Sequence, residues 1–306
     1  MNSRMNSPSA PGKIGVVTVL YNSEPWLPEF FASIAAQSYT NFTVFAIDNA
    51  SPDHSLALCR QHGEAWTILA NAENRGMPAA SNQGIVAALA AGCEYVLLLN
   101  NDVRFGPELF AQLVDGLRTQ HCDMTTPLMY FYDEPETIWC AGGGFQYWAG
   151  LRQKHYSEGT RDTGQFTQPT RVDFSSGCCL LIRCEVFARI GMLDEKYFIY
   201  WDDTDLMLCA RRAGLKLYLL PAAKLWHKVS ASTGRQSDFT LRYSTRNHAY
   251  YLRKHLPSAL VAMWTAIYCA FYAIGILLPW RSRRSRIQLR AWLEGLRMPL
   301  DSMPLA

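Results

Sequence analysis

Asp202, Asp203 and Asp205 fill three of four consecutive positions in YFIYWDDTDLMLCARRAG (197–214), directly behind Phe198, Tyr200 and Trp201. Like charges at that spacing repel, so water or something cationic must offset the cost. The cluster is either a capped helix start or a site whose carboxylates handle a proton or face a metal. His227 comes 24 residues after Asp203, beyond one expected helix and two short expected strands. That is enough chain to return it beside the aspartates, although a lone histidine is also a common surface residue. Asn100, Asn101 and Asp102 end an apolar run, where they either make a turn or present a polar edge. A carboxylate from Asp102 and an imidazole from His227 would suit Mn²⁺ or Mg²⁺, with diphosphate oxygens and water completing the shell.

Further polar residues sit at similar positions. Asp48 closes FTVFAID (42–48) and is either an Asx turn or a ligand-reading carboxylate. In NAENRGMPAASNQGI (71–85), Asn74 and Gly76 shape a tight turn into a helix. Asn82 then lies inside that helix, where asparagine gains little from propensity, so it serves a ligand or a structural hydrogen bond. The chain has no GxGxxG after its first apolar run and no GxxxxGK[ST], which weighs against dinucleotide and P-loop chemistry. It has no G-x-S-x-G elbow either. A phosphate-binding sheet without a glycine cradle needs another counter-charge, and a metal supplies one.

The elements that must position these residues follow from periodicity. Residues 14–20, 42–48, 66–70 and 95–100 read as strands, alternating with helical patterns at 27–35, 54–62 and 78–91. Alternation from 14 to about 120 predicts a doubly wound α/β sheet, whose ligands sit at the carboxyl ends of the strands. Tyr21, Asn22, Asp48, Asn49 and Asn100–Asp102 all fall at such ends. The second half is less regular. It contains strands meeting glycine turns at 137–145 and 172–183, a short helix at 184–191, and two further strands at 215–221 and 223–227.

Across 306 residues, 49% are apolar or aromatic and 18% charged, a composition of folded rather than disordered protein. A net charge of +3 is too small to suggest nucleic acid as the main partner. Nine scattered cysteines without a CxxC pair argue against a zinc ribbon or a secreted disulfide scaffold and favour a reducing cytoplasm. Residues 1–13 are polar, show no signal-peptide pattern, and read as a disordered lead-in. Residues 259–280 carry no charge; as a helix they would extend about 33 Å, enough for a bilayer core of about 30 Å. A buried globular helix is the alternative. The flanking tryptophans and tyrosines, and the RSRRSR run at 281–286, favour membrane contact by spanning, re-entering or lying in plane.

The ordered set VVTVLYNSE, IDNASPD, NAENRGMPAASNQGI, LLLNNDV, SSGCCLLIR, IGMLDEKYFIYWDDTDLMLCARRAG, LWHKVSAS and RYSTRNHAYYLRKH resembles the family 2 glycosyltransferases. The likeness is to bacterial rhamnosyl- and galactofuranosyltransferases in particular. It implies a GT-A fold, a doubly wound mixed sheet with a nucleotide-binding half and an acceptor half over 14–255. A C-terminal apolar and basic helical segment over 256–306 would associate with the membrane. By the same resemblance, Thr18, Tyr21 and Asn22 line the nucleotide pocket, with Asn74, Gly76, Asn82, Asn100 and Asn101 beside the donor, and Asp48 reads base or ribose. Asn100–Asp102 stands where the family carries a DxD motif, here with amides in two positions. Asp102 and His227 bind the metal, and ASTG (231–234) forms part of a diphosphate loop. Asp203 is the base of an inverting transfer from a nucleotide diphosphate-sugar, dTDP-rhamnose or a UDP-sugar, to a lipid-linked saccharide. Flanking Asp202 and Asp205 would raise its proton affinity, opposed by the helix N-terminus. Trp201, Asp202 and Asp205 would meet the acceptor, at the cytoplasmic face of a bacterial inner membrane. A nucleotidyltransferase and a non-catalytic saccharide-binding scaffold are the rival readings.

Overall fold

The computed structural model describes residues 12–62, 65–229 and 237–300. The expected alternation is present: β1 (Ile14–Leu20), α1 (Leu27–Ala35), β2 (Phe42–Asp48), α2 (Ser55–His62), β3 (Thr67–Ala70), α3 (Met77–Ala90) and β4 (Tyr95–Leu99). β5 (Val103–Phe105), α4 (Leu109–Thr119), β6 (Met124–Phe131), β7 (Ile138–Cys140), β8 (Gly143–Gln146), β9 (Arg152–His155) and β10 (Thr170–Val172) follow. Then come β11 (Cys179–Arg183), α5 (Cys184–Ile190), α6 (Asp202–Arg212), β12 (Leu217–His227), α7 (Asp238–His255), α8 (Ser258–Leu277) and α9 (Ser282–Arg297).

The main sheet runs β10-β12-β6-β11-β4-β1-β2-β3, with β5 on β12 and β7 on β6. β3, β2, β1 and β4 are mutually parallel, as crossover helices require. β11 lies antiparallel to both β4 and β6 and makes the sheet mixed. Alternate strand residues feed separate cores on the two faces. Val16, Phe30 and Phe110 pack on one, and Val17, Ile47 and Leu206 on the other. α3 approaches the sheet closely because Gly84 has no side chain; a Cβ there would stand 2.4 Å from Val17 Cγ1.

One sequence expectation changes, and one alternative falls away. Residues 215–221 and 223–227 form one strand, β12, whose pairing with β6 shifts register between Leu220 and Lys224; the Pro221 interruption is absorbed as an irregularity, not a break. The apolar segment is a helix, but not a buried one. Only Tyr272 and Gly275 of α8 are buried. α8 and α9 share a third core with α7 and the segment before α6, built from Tyr197, Trp201, Tyr250, Tyr251, Tyr272 and Trp292.

Candidate active site

Strand register brings the sequence-distant residues together. β5 pairs antiparallel with the end of β12, setting His227 opposite Val103, and the Lys228 amide donates to the Asp102 carbonyl at 3.0 Å. His227 Nε2 consequently lies 3.2 Å from Asp102 Oδ1. Burial opposes ionisation of Asp102, but His227 and a hydrogen bond from Asn100 outweigh it and hold the carboxyl below its usual range. On the neighbouring strand, β11 sets Cys179 opposite Leu99, so the Ser176–Gly177 turn caps the end of β4. There the Gly177 amide donates to Asp203 Oδ2 at 3.1 Å, and the Thr204 amide donates to Oδ1 at 2.7 Å. Two backbone donors therefore fix the Asp203 carboxylate from separate elements.

Asn100, Asp102, Trp201, Asp202, Asp203 and His227 all line one cavity of about 740 Å³, the size of a small-ligand site. The loop that presents the aspartates is strained. Phe198, Tyr200 and Trp201 have φ of 64°, 64° and 72°, a left-handed conformation that costs roughly 1–3 kcal/mol for each such residue. α7 holds it in place. Asn247 Nδ2 lies within 2.7–3.0 Å of the Tyr197, Ile199 and Tyr200 carbonyls. Arg246 donates to the Lys196 and Tyr197 carbonyls and to Asn247 Oδ1. From the other side, the Met77 amide donates to the Phe198 carbonyl at 2.7 Å. Gly76, with φ of 84°, leaves room for that contact, since a Cβ would meet Phe198 O at 2.5 Å. The Trp201 indole stacks on His248 at 4.4 Å, which covers one of its faces.

The acidic cluster divides its work differently from the sequence expectation. Burial, and then the neighbouring Asp203 carboxylate, push the Asp202 carboxyl up to about 7. Asp205 does not reach the cavity. Its oxygens meet Tyr197 OH, Lys254 Nζ and His255 Nε2, so it braces the first turn of α6. Lys254 also binds Asp194 at 2.8 Å, and this ammonium compensates both carboxylates. Asp205, Cys209 and His255 set ligand atoms within 4.8 Å of one another, but the 2.8 Å contact of Lys254 with Asp205 already supplies the positive charge there.

Other residues singled out in the sequence lie outside the cavity lining, at strand ends or in and before α3. Asn101 donates to the Val19 carbonyl at 2.7 Å and to Thr18 Oγ1 at 3.4 Å. An aspartate has no hydrogen for those acceptors, which gives the amide in the NND run a structural reason. Asn82 ties α3 to the Leu193 backbone and Glu195, the structural alternative for that residue. Asn74 Oδ1 accepts from the Gly76 amide and from Asn49, the tight turn expected there. Asn22 is left-handed, at φ of 53°, and its amide donates to Ser51. Tyr21 is exposed. Asp48 is buried, with Oδ2 accepting from the Ser51 amide and Oδ1 lacking a partner among the described residues; burial raises its pKa. A buried acceptor without a donor suits a ligand hydroxyl or ring N–H. ASTG (231–234) lies outside the described residues.

The Asp102–His227 pair fits a divalent ion. Ligand atoms about 2.1 Å from one ion stand about 3 Å apart, close to the spacing here, and a carboxylate with an imidazole is a donor set for a divalent metal. Sequence reasoning missed Trp139, which packs on His227 at 4.4 Å, and the cavity-lining Arg152, His155, His248 and Gln288. They come from the irregular second half and the C-terminal helices, where no spacing marks them. Gly177 was signalled only by the SSG preceding β11.

Residues 15–191 match the protein family described as Glycosyl transferase family 2. The chain is 27% identical over 239 residues to the N-acetylglucosaminyl-diphospho-decaprenol L-rhamnosyltransferase of Mycobacterium tuberculosis, covering 72% of this chain and 77% of that protein. It is 24% identical over 295 residues to the dTDP-rhamnosyl transferase RfbF of Shigella flexneri, covering 93% and 95%. Its fold superposes on the mannosyltransferase PcManGT of Pyrobaculum calidifontis, solved with GDP-Man and Mn²⁺, with a TM-score of 0.57 and 16% identity over 95% of this chain and 89% of that one. The fold is thus that of the GT-A glycosyltransferases, and the chain belongs to glycosyl transferase family 2.

Proposed function

We propose that the protein transfers a sugar from a nucleoside diphosphate-sugar to a hydroxyl of a lipid-linked saccharide, with inversion at the anomeric carbon and Asp203 as the base. The observation that carries this reading is the single cavity shared by the backbone-anchored Asp203 and the Asp102–His227 pair. As the acceptor oxygen attacks the anomeric carbon, its proton passes to Asp203 and the bond to the diphosphate breaks. Such base catalysis contributes roughly 10²–10⁴-fold. A divalent ion, Mn²⁺ or Mg²⁺, held by Asp102 and His227 would stabilise the negative charge developing on the departing diphosphate. Gly177 and Thr204 hold the base, while the strained loop sets Trp201 and Asp202 against the acceptor side. Asp48, with its unpartnered oxygen, reads the base or ribose beside Thr18, Tyr21 and Asn22.

The named relatives support dTDP-rhamnose as the donor and a polyprenyl-diphosphate saccharide as the acceptor. On this reading the protein works at the cytoplasmic face of a bacterial inner membrane, in cell-surface polysaccharide synthesis. A donor screen tests the reading: dTDP-rhamnose and several UDP-sugars, with and without EDTA, following nucleoside diphosphate release. Release from one donor that EDTA abolishes supports it. Metal-independent release contradicts the role given to Asp102 and His227.

A further inference from the structure

α8 has two apolar faces, and among the described residues only one has a partner. The inner face joins α7 and α9 through Tyr268, Tyr272 and Gly275. The outer face exposes Leu260, Met263, Ile267, Phe271 and Ile274, a stripe at helical spacing that continues into Leu277 and Trp280, 81% and 77% exposed. Exposed apolar surface of this extent marks a docking face. Beside it, α9 begins Ser282-Arg-Arg-Ser-Arg, with Arg281 as its N-cap and no acidic residue in its first turn. Cations at a helix N-terminus oppose the macrodipole. Among the described residues, Arg283 pairs with Asp238 and Arg281 lies over the Phe271 ring at 4.7 Å. An external anionic surface would offset the charge that the fold leaves there.

The 20-residue length of α8 permits a membrane span, but its packing opposes one. α8 and α9 are in intimate contact where Gly275 meets Ser285, since a Cβ at Gly275 would stand 2.2 Å from Ser285 Oγ. α9 is in turn locked on α7 where Gly295 meets the Arg246 carbonyl, at 2.0 Å from a built Cβ. Crossing a bilayer would either strip α8 from this core or carry Arg284, Arg286 and Arg290 into hydrocarbon, where each is costly.

We propose that α8 and the start of α9 dock in the plane of an anionic bilayer, the outer stripe among acyl chains and the arginines on lipid phosphates, without spanning it. Tyr272 of α8 and Gln288 of α9 both line the cavity that holds Asp203. The docked face thus borders the acceptor end of the site; this last step alone rests on the proposed transfer activity.

Full-length protein would be sedimented with phosphatidylcholine vesicles containing either no phosphatidylglycerol or 30% of it. The expected result is binding to the anionic vesicles at least tenfold tighter than to the neutral ones. Ile274→Glu and Arg284→Glu would each weaken it several-fold, with melting temperatures and donor hydrolysis unchanged. Depth is read from single spin labels at Leu260→Cys, Ile267→Cys and Ile274→Cys, in a background lacking the partly accessible Cys184, Cys209 and Cys269. Equal, shallow depths support in-plane docking. A deep label at 267 with shallow ends shows a span and overturns the proposal, as does equal binding to both vesicle types or to neither. Vesicle binding is read without donor or acceptor, so a failed transfer assay leaves this test intact.

Discussion

Asn247→Ala removes the donor that holds the acidic loop while touching nothing in the cavity. Asn247 is fully buried, and its Nδ2 serves three carbonyls of residues 197–200. The Tyr197 carbonyl keeps Arg246 as a donor, so the Ile199 and Tyr200 carbonyls lose theirs, at roughly 1 kcal/mol or more each, about 2 kcal/mol in all. That is comparable to the strain released if the left-handed residues at 198, 200 and 201 relax, about 1–3 kcal/mol each. The balance therefore favours loop relaxation over retention of the strained form. Relaxation displaces Asp203, which follows Trp201 by two residues, and an error of about 1 Å at a reacting group costs on the order of 100-fold in rate. The expected outcome is a kcat lower by roughly two orders of magnitude, nucleotide affinity within a factor of a few, and a melting temperature lower by roughly 4–8 °C. Initial-rate kinetics of sugar transfer, calorimetry with the nucleoside diphosphate and a thermal melt read the three quantities. A destabilised variant that keeps its kcat would refute the claim that α7 positions the base.

Lys254→Met leaves the buried Asp205 and the half-buried Asp194 without their shared cation and is expected to cost about 3–5 kcal/mol, measured by urea denaturation. Asp202 carries a pKa raised from 3.8 to about 7 by burial and by Asp203. Below the lower value both folded and unfolded chains hold this proton. Between the two values the unfolded chain releases it first, so stability falls as pH rises and the penalty is constant above about 7. Asp202→Asn should therefore melt higher than wild type near pH 8, by a margin that vanishes near pH 4; an equal margin at both contradicts the assignment. His227→Ala should weaken Mn²⁺-dependent nucleotide binding roughly tenfold or more, with metal-free nucleotide binding unaffected in calorimetry.

The first half of the fold was legible because parallel strands buried on both faces announce themselves: FTVFAID at 42–48 matches β2 residue for residue, and the run at 95–100 overshoots β4 by one residue. The union of β12 across Pro221 was not legible, because a proline ordinarily ends a strand and here meets a register shift. Asp102 and His227 could be paired from residue type alone. Their distance depends on β5 folding back on β12, which three residues of sequence do not reveal. The separate fates of Asp202, Asp203 and Asp205 depend on Lys254 and Gly177, which reach the cluster from other elements. No local pattern encodes that. The RN of RYSTRNHAYYLRKH was visible as a motif; its work as a clamp on three strained residues emerges only from the packing of α7.

The account stands on Asp203 as the base of glycosyl transfer, and one comparison tests it most directly. Wild type and Asp203→Asn, each saturated with Mn²⁺ and the donor that the screen identifies, would be given a polyprenyl-diphosphate saccharide acceptor, and single-turnover product formation followed. The predicted result is donor affinity within a factor of a few of wild type and a transfer rate lower by roughly 10²–10⁴-fold. Wild-type transfer at an undiminished rate in Asp203→Asn, or binding of donor with no transfer by either protein, would contradict the assignment of this cavity as a glycosyltransferase centre built around Asp203.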